Sequence, residues 1–196
     1  MRSLILALSA STMVATTPAM AVPKDFKARA DALLAEAYPA GGPGATVVVY
    51  EHGKPVYAAG QGLADVAAGT PLKADTPMRL GSVTKQFTAA VVMQLVEEGK
   101  IGLEDPLSKY LPDFPKPGSE ATVRQLLNHT SGIQSYTAIP GFMKDKSAKH
   151  HSTAELIATF RDAPATFPRG TKWTYNNSGY VLLGASRKVA ISSAVE

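Results

Sequence analysis

The sequence predicts a mixed α/β chain of the α+β kind, with one early hairpin followed by a larger helical lobe. Three observations carry this. Two strand-like runs, residues 45–50 (Ala-Thr-Val-Val-Val-Tyr) and 55–59 (Pro-Val-Tyr-Ala-Ala), flank the turn Glu51-His52-Gly53-Lys54. A long apolar helix pattern runs through Ala89, Ala90, Val91, Val92, Met93, Leu95 and Val96 and stops at Gly99. After Gly99 the chain shows helical and loop patterns without strong strand runs.

In order, residues 1–21 read as a secretory leader. Arg2 supplies the basic start, Leu4-Ile5-Leu6-Ala7-Leu8 the beginning of the apolar core, and Ala19-Met20-Ala21 an A-x-A cleavage site. The run is too short and too rich in Ser and Thr for a transmembrane helix, so the protein is expected to be exported, to the periplasm or outside the cell. No stable membrane span is expected after cleavage. Residues 22–196 are then a single partial domain. Within it, residues 23–38 form a helix with Phe26, Ala30, Leu33, Leu34 and Ala37 at helical spacing, ended by Pro39-Ala40-Gly41-Gly42-Pro43-Gly44. Residues 60–77, after the hairpin, are a Gly- and Pro-punctuated connection.

Beyond the central helix, residues 106–112 form a short helix bracketed by prolines. Thr122-Val123-Arg124-Gln125 and Ser152-Thr153-Ala154-Glu155 are capping boxes that each open a helix. Residues 140–151 between them read as a polar, solvated loop. A last apolar helix begins around Val181-Leu182-Leu183-Gly184.

Composition narrows the function. The 196 residues are 45% hydrophobic and 18% charged, an ordinary globular balance. The formal net charge is +4, it falls by one with Arg2, and the cations are scattered rather than striped, so nucleic acid is not an expected partner. Without Cys there is no disulfide, thiol nucleophile or thiolate metal site. His150-His151 has no carboxylate cluster beside it, and neither a metal nor any other cofactor is expected.

The central helix also carries chemistry. Gly81 suggests a tight lead-in that sets Ser82 in the first turn, where free N–H groups and the positive dipole end favour developing negative charge. Lys85 lies one turn on, on the face that continues Ala89, Val92 and Val96. Desolvation there favours a neutral, basic amine, and a hydroxyl beside it is an activated nucleophile. Taken alone, Ser82 equally suits an N-cap and Lys85 a snorkelling surface cation. The second candidate is Tyr175-Asn176-Asn177, at a loop-to-helix junction about ninety residues later. A phenol near an ammonium is a proton shuttle, and an amide can hold both a lysine and a substrate carbonyl.

Three segments in register resemble the serine β-lactamase family, in the branch with class C β-lactamases, D-Ala-D-Ala carboxypeptidases and related esterases. They are Gly81-Ser82-Val83-Thr84-Lys85, Leu126-Leu127-Asn128-His129-Thr130-Ser131-Gly132-Ile133, and Tyr175-Asn176-Asn177-Ser178-Gly179-Tyr180. Residues 99–106 resemble the turn after that family's nucleophile helix. The resemblance implies the β-lactamase/penicillin-binding-protein transpeptidase-like fold, an antiparallel sheet plus an all-helical lobe. It implies Ser82 as acylated nucleophile, Lys85 as proton acceptor or relay, Tyr175 as acid–base partner, and Asn177 as the residue orienting Lys85 and the substrate amide. One oxyanion donor would be the Ser82 N–H, and His129 would be a packing residue.

The substrate class implied is a small molecule or peptide: a β-lactam, a D-Ala-D-Ala peptide or an ester. The family's third motif, Lys-Thr-Gly or His-x-Gly on a late strand, is not in the sequence, so the chain reads as a member truncated before its C-terminal sheet strands. The rival expectation is a non-catalytic exported β-lactam or peptidoglycan binder, or an inactive remnant. Nothing in the sequence sets an oligomeric state.

Overall fold

The computed structural model describes residues 22–192, with side chains to Arg187, and divides between Arg79 and Leu80 into two compact units. The predicted leader lies outside the described residues. Among them, no helix is long and apolar enough to cross a membrane.

The first unit is built on the hairpin. β1 (Ala45–Glu51) pairs antiparallel with β2 (Lys54–Gln61), Val47 opposite Ala59 and Val49 opposite Tyr57, with a register shift between Val49 and Tyr50. Both turn residues, His52 and Gly53, have positive φ (49° and 76°), the twist that two-residue hairpins require. Helix α1 (Phe26–Ala37) sets Phe26 edge-on against Tyr57 at 5.7 Å. The Tyr57 ring is buried and its hydroxyl donates to Asp31 at 2.8 Å. A hydrogen bond from Lys27, then that from Tyr57, holds the Asp31 carboxyl below its usual range. The connection predicted over residues 60–77 is more ordered than its sequence suggests. It holds a second small hairpin, β3 (Leu63–Asp65) with β4 (Thr70–Pro71), whose strands are too short to show a period.

The second unit is helical, as its sequence predicts. A 3₁₀ turn at Gly81–Val83 leads into α2 (Thr84–Glu97). Ser82 therefore sits in a tight turn ahead of the α-helix, not in its first turn, because Gly81 has φ of +53° and the chain enters at a sharp angle. Val92 and Leu95 of α2, Val123 and Leu126 of α3 (Val123–Leu127), and Leu182 and Leu183 of α5 (Asn177–Ser192) meet Leu107 and Phe160 in one core. Each such side chain contributes about 1.5–3 kcal/mol on burial.

Both capping boxes form. Thr122 opens α3 with reciprocal bonds to Gln125, and Ser152 opens α4 (Thr153–Ala158) with Glu155. The proline-bracketed segment is a 3₁₀ turn, Leu107–Lys109. The predicted solvated loop is only partly so. It contains a π-type turn, Phe142–Lys146, whose Phe142 is buried edge-on against Tyr136 at 4.9 Å. His151 pairs with the Lys146 carbonyl at 2.9 Å. One aromatic in an otherwise polar stretch gives no period, yet it is enough to anchor the turn.

The turn after α2 is organised by Asp105, whose carboxylate accepts from the Gly102 N–H (2.7 Å), Lys109 (2.8 Å) and Tyr110. Gly132, in the Leu126–Ile133 segment, has φ of +73°, and its carbonyl accepts from the Thr166 N–H at 2.8 Å. A Cβ there would lie 2.1 Å from the Phe167 carbonyl oxygen. Gly132→Ala is therefore expected to cost more than the about 1–3 kcal/mol of backbone strain alone. Thr122→Ala, which removes one cap, should cost about 0.5–2 kcal/mol. Thermal unfolding of the two variants checks the order, and a Gly132→Ala midpoint above that of Thr122→Ala contradicts it.

Candidate active site

The four residues singled out in the sequence come together in the second unit. The Tyr175 hydroxyl donates to Ser82 Oγ at 2.6 Å. Lys85 Nζ donates to Asn177 Oδ1 at 2.7 Å. The same ammonium stands 4.7 Å from the centre of the Tyr175 ring and 5.5 Å from that of Tyr180. Cation–π attraction thus replaces part of the water that a half-buried lysine loses. The hydrogen-bond partner of Ser82 Oγ is the phenol, whose ring faces the Lys85 ammonium.

This arrangement depends on how residues 129–137 grip residues 174–178. The His129 carbonyl accepts from the Thr174 N–H at 3.0 Å, and its Nδ1 accepts from the Asn176 N–H at 3.1 Å. Buried Asn176 donates from Nδ2 to the Ile133 carbonyl, while its Oδ1 accepts from the Gly179 N–H at 2.9 Å. Asn176 is thereby the N-cap of α5. Ser135 Oγ accepts from the Asn177 N–H at 3.2 Å. Ser178 Oγ, fully buried, accepts from the Tyr136 N–H at 2.8 Å.

The Asn177 amide has one orientation that works. Its Oδ1 takes the lysine while Nδ2 donates to Thr137 Oγ1 at 2.9 Å, and a flipped amide would set two donors against each other. Ser135 and Thr137 carry no mark in the sequence, and Asn176 stands there only as the middle of Tyr175-Asn176-Asn177, without a role of its own. Small hydroxyls in a loop have no spacing that marks them, and only the fold sets Ser135 and Thr137 opposite the Tyr-x-Asn segment.

The electrostatics follow. Burial pushes the Tyr175 phenol up, but the polar pull of Lys85, the bond to Ser82 and the lysine's charge together outweigh it, so the phenol titrates below its ordinary value. Burial of the His129 imidazole, and then the Lys85 charge, hold its pKa below the usual histidine value. A cleft of about 380 Å³ opens beside these groups, lined by Ser82, Lys85, Thr88, Tyr136, Thr137 and Asn177. A separate recess of about 440 Å³, between Phe114, Phe160 and Phe167, contains none of the four residues. Three of the four residues line the cleft, and Tyr175 meets it from outside that lining through its bond to Ser82. Together they offer a hydroxyl, a phenol that can take its proton, and a cation that stabilises the phenolate, groups suited to nucleophilic acyl transfer.

Comparison with known proteins gives the family. Residues 30–194 match the family described as Beta-lactamase. Esterase EstB of Burkholderia gladioli is 36% identical over 147 residues, covering 68% of this chain and 37% of EstB. Penicillin-binding protein 4* of Bacillus subtilis (strain 168) is 34% identical over 140 residues, covering 70% of this chain and 30% of that protein. Among solved structures, D-alanine carboxypeptidase AmpC from Burkholderia cenocepacia superposes with a TM-score of 0.62 at 29% identity, over 84% of this chain and 42% of that one. The chain thus spans about a third of the length of the curated relatives it matches. With the matched span enclosing Ser82, Lys85, Tyr175 and Asn177, the chain belongs to the beta-lactamase family of serine hydrolases, in the branch shared by penicillin-binding proteins, carboxypeptidases and esterases.

Proposed function

We propose that this chain carries the acylating machinery of an exported serine hydrolase that acts through an acyl-Ser82 intermediate on an amide, β-lactam or ester. The observation that carries the reading is the 2.6 Å contact between Ser82 and a Tyr175 phenol backed by Lys85. Tyr175, as the phenolate that the ammonium stabilises, takes the hydroxyl proton while Oγ attacks the acyl carbon. The phenol then gives that proton to the departing amine or alkoxide. The acyl group remains as an ester on Ser82 until water, activated by the same phenolate, releases it as the acid. The second N–H of Asn177 Nδ2 orients the substrate carbonyl, and the Ser82 backbone N–H serves as one oxyanion donor. Export rests on Arg2, the apolar run and Ala19-Met20-Ala21, and predicts a mature chain that begins at Val22 when its N-terminus is sequenced.

Acylation and turnover are expected to separate. A fluorophosphonate or a reactive penicillin should give one adduct, on Ser82, by intact-mass and peptide mass spectrometry, and Ser82→Ala should give none. Persistent labelling in Ser82→Ala would sink the assignment. Residues 22–196 taken alone contain no Lys-Thr-Gly or His-x-Gly to supply a second oxyanion donor, and one donor is worth about 10²–10³ in rate. Hydrolysis of a chromogenic cephalosporin or a nitrophenyl ester by residues 22–196 should therefore be slow even where labelling is efficient. A binding protein would show neither labelling nor turnover.

The protonation states supply a further test. Because the phenolate is the reactive form, the labelling rate should rise with pH through a transition below 10, the ordinary tyrosine value, and fall on the acid side. Tyr175→Phe should abolish that transition and slow labelling by about 10²–10⁴. Lys85→Arg should also be slow, since a planar fork does not fit between Asn177 Oδ1 and two phenol rings and cannot release a proton. A Lys85→Arg variant that labels at the parental rate would reduce Lys85 to a point charge.

A further inference from the structure

His129 makes contacts that a packing residue does not need. Its carbonyl and its Nδ1 accept from the two backbone amides that flank Tyr175, those of Thr174 and Asn176. Its backbone is in the left-handed region, at φ of +64°, an uncommon conformation for a residue with a side chain. The same turn aims carbonyl and ring at one stretch of chain. The ring lies 4.8 Å from the Tyr175 ring and 5.3 Å from that of Tyr180, with Trp173 edge-on at 6.1 Å. The backbone on both sides of the tyrosine is thus tied to one residue.

We propose that His129, in its neutral form, is a positioning residue for Tyr175: it fixes the tyrosine's flanking amides and thereby sets the phenol on Ser82. This rests on the role given to Tyr175 above. Nδ1 accepts only while it carries no proton, so the imidazole is the Nε2–H tautomer. Protonation would place a second donor against the Asn176 N–H and release that side of the tyrosine. The charged and titratable groups that face the ring are Lys85 from α2, Tyr175 from its own loop and Tyr180 from α5; none is a carboxylate. None of these three groups rewards a positive imidazole, and burial together with the lysine's charge opposes one more than the Asn176 backbone favours it. The bond therefore holds at neutral pH and fails as pH falls through the depressed histidine pKa.

Single and double variants labelled with a fluorophosphonate probe test this. His129→Gly keeps the backbone conformation and loses the acceptor. His129→Asn tolerates left-handed φ and places an amide oxygen near the site of Nδ1. A displacement of about 1 Å at a reacting group costs up to ~10² in rate. His129→Gly is thus expected to label at least about tenfold more slowly, and His129→Asn within about threefold of the parent. In a Tyr175→Phe background, His129→Gly should change the rate by less than about twofold, since the group it positions is gone. An equal slowing in both backgrounds, or His129→Asn as slow as His129→Gly, overturns the proposal. Slow Tyr175→Phe with His129→Gly at the parental rate overturns it alone, whereas Tyr175→Phe at the parental rate removes the tyrosine's role and this proposal together.

A readout that needs no reaction uses the unaltered protein. Trp173 is the only tryptophan, and its emission should be quenched as the nearby imidazole protonates, with a midpoint below about 6.5. Exchange of the Asn176 amide hydrogen should accelerate over the same pH interval. Asn176 exchange that ignores the histidine's titration overturns the proposal even if a variant fails to fold or the probe does not react.

Discussion

The pairing of residues 129–137 with residues 174–178 is the constraint on which the site depends. Six hydrogen bonds cross it, and each contributes only about 0.5–1.5 kcal/mol net. Their value is geometric. They act on consecutive residues, so the tyrosine, the cap of α5 and the lysine-holding amide cannot shift independently. Asn176 joins two jobs in one side chain, capping α5 and bonding the Ile133 carbonyl. The helix start and the loop that carries Tyr175 are thereby one object. Behind it, Leu182 and Leu183 of α5 are buried against α2 and α3, so the core that stabilises the unit also sets α2 and its serine turn against that loop.

The electrostatics of the cleft come from a single cation surrounded by groups without formal charge. Lys85 rests against two phenol rings and an amide oxygen. A carboxylate there would neutralise the ammonium and lessen its effect on the neighbouring phenol. With aromatic faces in its place, the charge remains effective and draws the Tyr175 phenol below its usual range despite the burial that opposes ionisation. The same charge, added to burial, disfavours a second cation at His129. One lysine therefore promotes an anion at the tyrosine and neutrality at the histidine.

The first unit has a different economy. Its two sheets have two strands each, and Val48, Tyr50 and Val56 stay exposed on the β1–β2 hairpin while Leu33 of α1 is 64% exposed. A hairpin with one helix has too little apolar area to bury both faces of its strands. Its order rests on local devices: a turn with two positive φ angles, the Phe26–Tyr57 contact, and the Tyr57 hydroxyl on a carboxylate already paired with Lys27.

Local rules made much of this legible in the sequence. The hairpin, α2, both capping boxes and the start of α5 follow from side-chain period, turn chemistry and cap chemistry, which act within a few residues. Ser82 and Lys85 stand out because a helix places i and i+3 on one face. Tyr175 and Asn177 stand out through resemblance to a known motif, not through any period of their own. The β3–β4 hairpin and the Phe142 anchor were not legible, since two or three residues carry no period. Ser135, Thr137 and the clamping role of Asn176 were hidden for a related reason, common polar types gaining a role only from partners 40 to 43 residues away. His129 reads as packing because the Leu126–Ile133 segment resembles a structural signature of the family. The sequence by itself determined the candidates: Ser82 for the nucleophile, Lys85 and Tyr175 for the proton carriers. The tertiary structure decided that the Tyr175 phenol hydrogen-bonds the serine, because contact across about ninety residues is set by helix packing and loop hydrogen bonds that no local spacing encodes.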